Sequence, residues 1–395
     1  QDTWFRRQAH SECEGGVFST SVGTWKITVI PTAEGGTVSS AQTICYNTQP
    51  SALTLSGHVG TVVQWEWSPN GTDNWNAIAN TTTTLTGAVM GNLTADCWYR
   101  AKVESSNNCS EDYSNAVKIT VLAQANAGTI SSAQTICYNT QPNNLTLNGH
   151  VGTVVRWEWS ANGIDNWNAI ANTTTTLTSA NMGNLTADRW YRVVVKNGAT
   201  CSEVSSNAIK ITVLAQANAG TISSAQTICY NTQPNNLTLN GHVGTVVRWE
   251  WSANGIDNWN AIANTTTTLT SANMGNLTAD RWYRVVVKNG ATCSEVSSNA
   301  VKITVLAQAN AGTISSAQTI CYNTQPNNLT LNGHVGTVVR WEWSPNGTDN
   351  WTNIANTTTT LTSAEMGNLT ADRWYRVVVK NGASCSEVTG GAVKI

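Results

Sequence analysis

Three observations predict an all-β chain built of tandem Greek-key β-sandwiches. The sequence repeats itself at a fixed offset of 92 residues. Within each copy, apolar and polar residues alternate with period two, and turn residues break the alternation roughly every ten positions. The organising stretch is Arg156–Trp167, RWEWSANGIDNW, which recurs from Gln64 (as QWEWSPNGTDNW), Arg248 and Arg340. Trp157 and Trp159 alternate with Arg156 and Glu158, as on a strand with one apolar and one polar face. Ser160–Asn166 then supplies Asn-Gly turn chemistry before Trp167 resumes the pattern, so the stretch reads as a hairpin.

The period divides the chain into 35–126, 127–218, 219–310 and 311–395, the last short of its C-terminal end. The second and third copies differ only at Ile209 and Val301. Residues 1–34 read as the closing part of a preceding copy: Asp2, Trp4, Phe5, Arg6, Cys13 and Trp25–Ile30 parallel Asp188, Trp190, Tyr191, Arg192, Cys201 and Ile209–Val213. The sequence is therefore expected to be a window on a longer array. A unit of this length can bury a core of its own, so separate beads are expected and not a solenoid.

In 127–218, Gly128–Cys137 predicts a first strand, Leu145–Leu147 a second and Thr153–Trp159 a third. Trp167–Ile170 is the return of the hairpin, and the Thr-rich 173–178 segment an edge strand. Trp190–Lys196 and Ile209–Val213 close the unit. No stretch longer than a turn reads as helical. Alternation puts Tyr191, Val193 and Val195 on the core side and Trp190, Arg192, Val194 and Lys196 outside. Trp157 should fill the core beside Tyr191 and the disulfide, with Trp159 covering one end. Leu214–Ala219 (LAQANA) has no Pro and no Gly/Ser run, so consecutive repeats should stack nearly in line. At about 40 Å per sandwich, four would make a rod of roughly 160 Å.

Charged residues are 11% of the chain and the net charge is −2, against a usual charged share of about 25%. With no basic stripe, nucleic acid is not an expected partner, nor is an anionic membrane surface. No apolar run approaches the ~18 residues of a membrane helix, so no membrane insertion is expected in this window. Neighbouring repeats of the same chain are the expected partners.

Eight of the ten cysteines fall into pairs 64 residues apart: Cys45/Cys109, Cys137/Cys201, Cys229/Cys293 and Cys321/Cys385. Two per repeat at fixed spacing argues for disulfides and an oxidising compartment. Pairing within a repeat is the expectation, because each sandwich then closes its own staple. It meets a difficulty, since the loops holding Cys137 and Cys201 should lie at opposite poles of the sandwich. Either the first strand is short, or the bond crosses repeats, for example Cys45 to Cys201. Cys13 and Cys97 stand outside the pattern and are expected to be unpaired within this window. Cys97 replaces the arginine of the sibling repeats, as a lone thiol or as a crosslink to a second chain.

No catalytic constellation, cofactor glycine pattern or metal-ligand spacing stands out, so no catalytic, cofactor or metal residue is assigned. The single His of each repeat sits in a Gly-flanked turn. Asn162, Asp165 and Asn166 could be read as a calcium loop, but no Glu closes it and a hairpin turn explains them. The candidate ligand surface is Trp190 with Arg192 and Trp167, because carbohydrate-binding surfaces use outward aromatic rings. Asn144, Asn172 and Asn184 head Asn-X-Thr sequons, which invite glycans in a eukaryotic secretory protein.

The spacing Leu185…Tyr191 resembles the tyrosine corner of fibronectin type III and immunoglobulin (Ig)-like domains, which implies a Tyr191 hydroxyl bonded back to the backbone. The segments AGTISSAQTICYNTQPNNLTLNG, RWEWSANGIDNW, NLTADRWYRVVV and NGATCSE together resemble the Ig-like tandem repeats of giant Bacteroidetes cell-surface adhesins. The gliding-motility adhesins of flavobacteria are among these. The resemblance implies a secreted chain displayed outside a bacterial cell as a filament touching surfaces or polysaccharide. The expected function is the repetitive stalk of a very large adhesin, mediating or presenting adhesion in attachment or gliding, and not an enzyme. The alternative is a carbohydrate-binding module array attached to a secreted enzyme.

Overall fold

The computed structural model describes residues 3–5 and 25–395. The chain divides into two compact units, residues 1–212 and 213–395, each holding two of the repeats. In 127–218 the strands are β1 (Thr129–Ile130), β2 (Gln134–Ile136), β3 (Leu145–Asn148), β4 (Thr153–Ser160) and β5 (Asn168–Ile170). They are followed by β6 (Thr176–Leu177), helix α1 (Ser179–Met182), β7 (Arg189–Lys196), β8 (Val204–Ser205) and β9 (Ile209–Val213). One sheet has the order β1-β3-β6. The other runs β2-β9-β7-β4-β5, with β8 also on β7. That order is the Greek-key sandwich of Ig-like domains, and the other repeats share it, except that in the last one residues 318–320, equivalent to β2, form no strand.

The expected first strand is two strands. After β1, Ser131 exchanges hydrogen bonds with Thr146, its backbone N–H donating to the carbonyl and its hydroxyl accepting the amide. The chain then crosses to the other sheet as β2. The same strand in the following repeat, Gln226–Ile228, lies parallel to Val301–Val305. Of the Thr-rich segment only Thr176–Leu177 is strand; Thr178 instead caps α1 in a capping box with Asn181. Strand β8 has no period to announce it, being two residues long.

The core of this repeat is Leu145, Leu147, Trp157, Leu177, Leu185, Tyr191, Val193, Val195 and Ile211, none more than 4% exposed. A β-bulge between Val154 and Arg156 shifts the β4–β7 register, so that Val154 and Trp157, three apart, both face inward. Trp157 is fully buried and its indole N–H donates to the Thr174 carbonyl at 3.0 Å. Trp159 is half-buried at the core's edge under Arg189, whose guanidinium stacks on the ring at 4.1 Å. Val194 points outward by alternation yet is only 2% exposed, flanked in register by Arg156 and Ser205.

Tyr191 is fully buried, but its hydroxyl has no hydrogen-bond partner. The expected tyrosine corner is therefore not formed. The backbone upstream is already satisfied, since Leu185 exchanges bonds with Thr140 and Asn139. Burial pushes the Tyr191 pKa up, opposed by the nearby Arg189.

Of the N-terminal segment, Thr3–Phe5 pairs antiparallel with Trp25–Ile27, placing Trp4 opposite Lys26 as Trp190 lies opposite Lys210. Asp2, Arg6 and Cys13 lie outside the described residues.

Candidate functional site

Two features could carry function: the poles where consecutive repeats meet, and the outer face of the larger sheet. The poles follow from strand direction. β9 runs antiparallel to β7. The parallel partner of β9 therefore delivers Cys137 to the pole from which the chain leaves the repeat. Cys201 lies in the turn after β7, at the opposite pole. An eight-residue strand separates the two poles by about 27 Å, and a disulfide needs Cα atoms within about 7 Å.

The expected pairing within a repeat is accordingly not made, and this corrects the expectation for all four pairs. Cys45, at the outgoing pole of one repeat, is bonded to Cys201 at the incoming pole of the next, with Cα atoms 5.5 Å apart. Cys229 is bonded in the same way to Cys385. Cys137 and Cys293 are disulfide-bonded too. Cys109 and Cys321, expected in disulfides, are exposed free thiols. The disulfide also lies away from Trp157, in a junction and not in a core.

Around each bond the linker is fastened. In the first unit Asn197 donates its side-chain amide to the Ala123 carbonyl at 2.7 Å. Gly198, at φ 110°, is held so closely that a Cβ there would lie 2.5 Å from Leu122 Cδ1 and 2.7 Å from Cys201 Sγ. The second unit repeats this with Asn289 on Ala215 and Asn381 on Ala307. Glycine is required here by both φ and space.

Cys97 is free and half-buried, packed against the core of its repeat. Burial pushes its thiol pKa up, only partly offset by the Tyr99 hydroxyl, and Asp96 adds to the rise. A thiol held protonated is a poor nucleophile, which favours the lone-thiol reading over a crosslink.

On the outer sheet face, Trp167, Trp190 and Arg192 do gather, but their interactions are already made. The Arg192 guanidinium stacks on Trp167 at 4.1 Å and donates from Nε to Glu158 at 2.6 Å. Arg156 donates to the other Glu158 oxygen and to Glu203, each at 2.7 Å. Trp190 carries the Lys210 ammonium over its ring at 4.9 Å. Gly163, at φ 75°, lies so close to the Trp190 ring that a Cβ would come within 2.6 Å of it. One face of each ring is thus covered by a cation, and a sugar there would compete with a cation–π contact.

Glu158 shows which effect wins in this network. Burial alone would raise its carboxyl pKa, but hydrogen bonds from Arg192 and Arg156 outweigh burial and hold it below 4.5, as for Glu250 and Glu342. A carboxyl whose folded pKa is depressed adds stability above its unfolded pKa and loses it as pH falls through the folded value. The melting temperature is therefore expected to hold steady from pH 7 to about 5 and to fall steeply below about 4.5. Glu158→Gln should flatten that fall for its own repeat when melting is followed by circular dichroism across pH.

The hairpin turn satisfies itself. The Ser160 hydroxyl accepts from the Asn162 and Gly163 amides and donates to the Asp165 carbonyl. Asn162 Oδ1 accepts from Ile164 and Asp165, and its amide group donates to the Asp165 carboxylate. These internal bonds occupy the oxygens a calcium ion would need. Among the described residues no group of three or more His, Cys, Asp or Glu could hold a metal. Two of the sequon asparagines are engaged as well: Asn144 accepts from Ser179, and Asn172 accepts from Thr174 while donating to Thr176. Among the described residues no helix is long and apolar enough to cross a membrane.

A family model described as a domain of unknown function (DUF8696) matches four times, at residues 34–123, 126–215, 218–307 and 310–395. No curated protein matches the chain. Solved structures that resemble it are multidomain arrays. One, described as a Ca2+-stabilized adhesin that helps an Antarctic bacterium reach out and bind ice, is 13% identical over 91% of this chain and 99% of that one, with a TM-score of 0.36. A titin I-band fragment is 10% identical over 71% of this chain and 99% of its own, with a TM-score of 0.36. Immunoglobulin domains 1–4 of Sidekick-1 are 11% identical over 92% of this chain and 98% of that one, with a TM-score of 0.27.

Proposed function

We propose, for a chain that belongs to the family described as a domain of unknown function (DUF8696), that its repeats form the stalk of an adhesin displayed outside a bacterial cell. The observation that carries this reading is the covalent fastening of repeat to repeat through Cys45–Cys201 and Cys229–Cys385. Disulfides belong to an oxidising compartment, and a staple between poles strengthens the junction that tension along a stalk would strain. The polar groups of the outer sheet face are committed to one another, which supports a mechanical role over a catalytic one. The sequence resemblance to giant Bacteroidetes adhesins supports surface display, with attachment or gliding as the process served.

In this reading the repeats present adhesion and do not provide it. The soluble chain is expected to bind neither glass nor a glycan array. The outward group of Trp190, Arg192 and Trp167 supports the second reading, a carbohydrate-binding array. Saturable glycan binding, lost in Trp190→Ala with the circular dichroism spectrum intact, would replace the spacer reading with that one.

A further inference from the structure

Tension on this chain has a covalent route much shorter than its backbone. We propose that the cross-repeat disulfides carry the load and keep most of the chain out of it, so that thiol chemistry sets how far the stalk extends. Cys45–Cys201 and Cys229–Cys385 each join positions 156 apart in sequence. The route follows the backbone to Cys45, crosses to Cys201, runs along the backbone to Cys229 and crosses to Cys385. Residues 46–200 and 230–384 lie off it. Cys137 and Cys293 are disulfide-bonded as well, and a further bond can shorten this route but not lengthen it.

The stagger matters. Bonds within each repeat would shield its middle but leave every linker under load. Each bond between repeats takes a linker off the route, as Cys45–Cys201 does the one after Leu122, together with nearly all strands of two sandwiches. Between the two bonds the stretch left under load, 202–228, consists of short strands and the linker at Leu214–Ala219. Those strands are anchored to shielded ones, as Ile209–Ile211 is to Arg189–Tyr191.

The four cysteines of the two bonds are partly exposed, within reach of a small dithiol. One thiolate of the dithiol attacks a cystine sulfur, and its second thiol then closes the reductant into a cyclic disulfide. The protein receives two electrons and two protons and keeps two thiols. Each opened loop then frees its 156 positions, about 500 Å of contour at 3.3–3.6 Å per residue.

This inference rests on the stalk reading, but its test measures length and not binding. The full chain is tethered by its ends and stretched in a single-molecule instrument, with and without dithiothreitol. Oxidised chain should reach a final contour about 1,000 Å shorter than reduced chain. Adding reductant to chain already held under load should release length in steps, which needs no variant to fold. Cys45→Ser combined with Cys229→Ser should extend beyond the parent without reductant. Equal contours with and without reductant would overturn the proposal, as would release only in steps of about 200 Å, the length of a loop closed within one repeat. Glycan binding alongside redox-gated length would retire the spacer reading and leave this inference standing.

Discussion

Trp157→Ala is expected to destabilise its own repeat by about 3–5 kcal/mol, the range for truncating a fully buried aromatic. The indole is 0% exposed and lies centrally on β4, directly opposite Val193 of β7. Its loss leaves a large cavity and also removes the hydrogen bond from the indole to the Thr174 carbonyl, worth about 1 kcal/mol. Against the 5–15 kcal/mol typical of a domain, little stability would remain. At 4–8 °C per kcal/mol for a domain of this size, calorimetry should show one repeat melting roughly 15–30 °C below the others. Trp190→Ala, which removes a half-exposed ring and one cation–π contact, is expected to cost only about 1 kcal/mol. Similar losses at both positions would contradict the placement of the core.

Cys45→Ser is expected to be the most damaging change outside a core. Closing a loop of 156 positions limits the unfolded chain by up to about 5 kcal/mol in the chain-entropy model. Since a measured disulfide more often contributes 2–4 kcal/mol, a loss of about 2–5 kcal/mol is expected. The loss should fall on both repeats, because Cys45 and Cys201 belong to different sandwiches. Urea denaturation of the variant, set beside the parent with and without reductant, measures it. Cys97→Ser removes a free, half-buried thiol and should change stability by less than about 1 kcal/mol. If Cys45→Ser were equally mild, the cross-repeat bond would not be a structural element.

The sequence by itself determined the repeat length, the sandwich class and most of the strands, because these follow from period-two alternation and turn residues within a few positions of each other. It likewise placed Trp157 and Tyr191 inside and Trp190 and Arg192 outside, since side-chain parity is a local property of a strand. Parity failed where local order broke: the bulge after Val154 brought two residues three apart to one face, and Val194 was buried from both sides by neighbours distant in sequence. Cysteine pairing was beyond the sequence for a related reason. The spacing of 64 residues is identical whether a bond closes within a repeat or between two, and only strand direction decides which poles hold Cys137 and Cys201. The outward aromatics were legible as positions but not as an occupied surface. Whether Arg192 lies over Trp167, or Lys210 over Trp190, depends on three strands meeting side by side, which only the tertiary structure supplies.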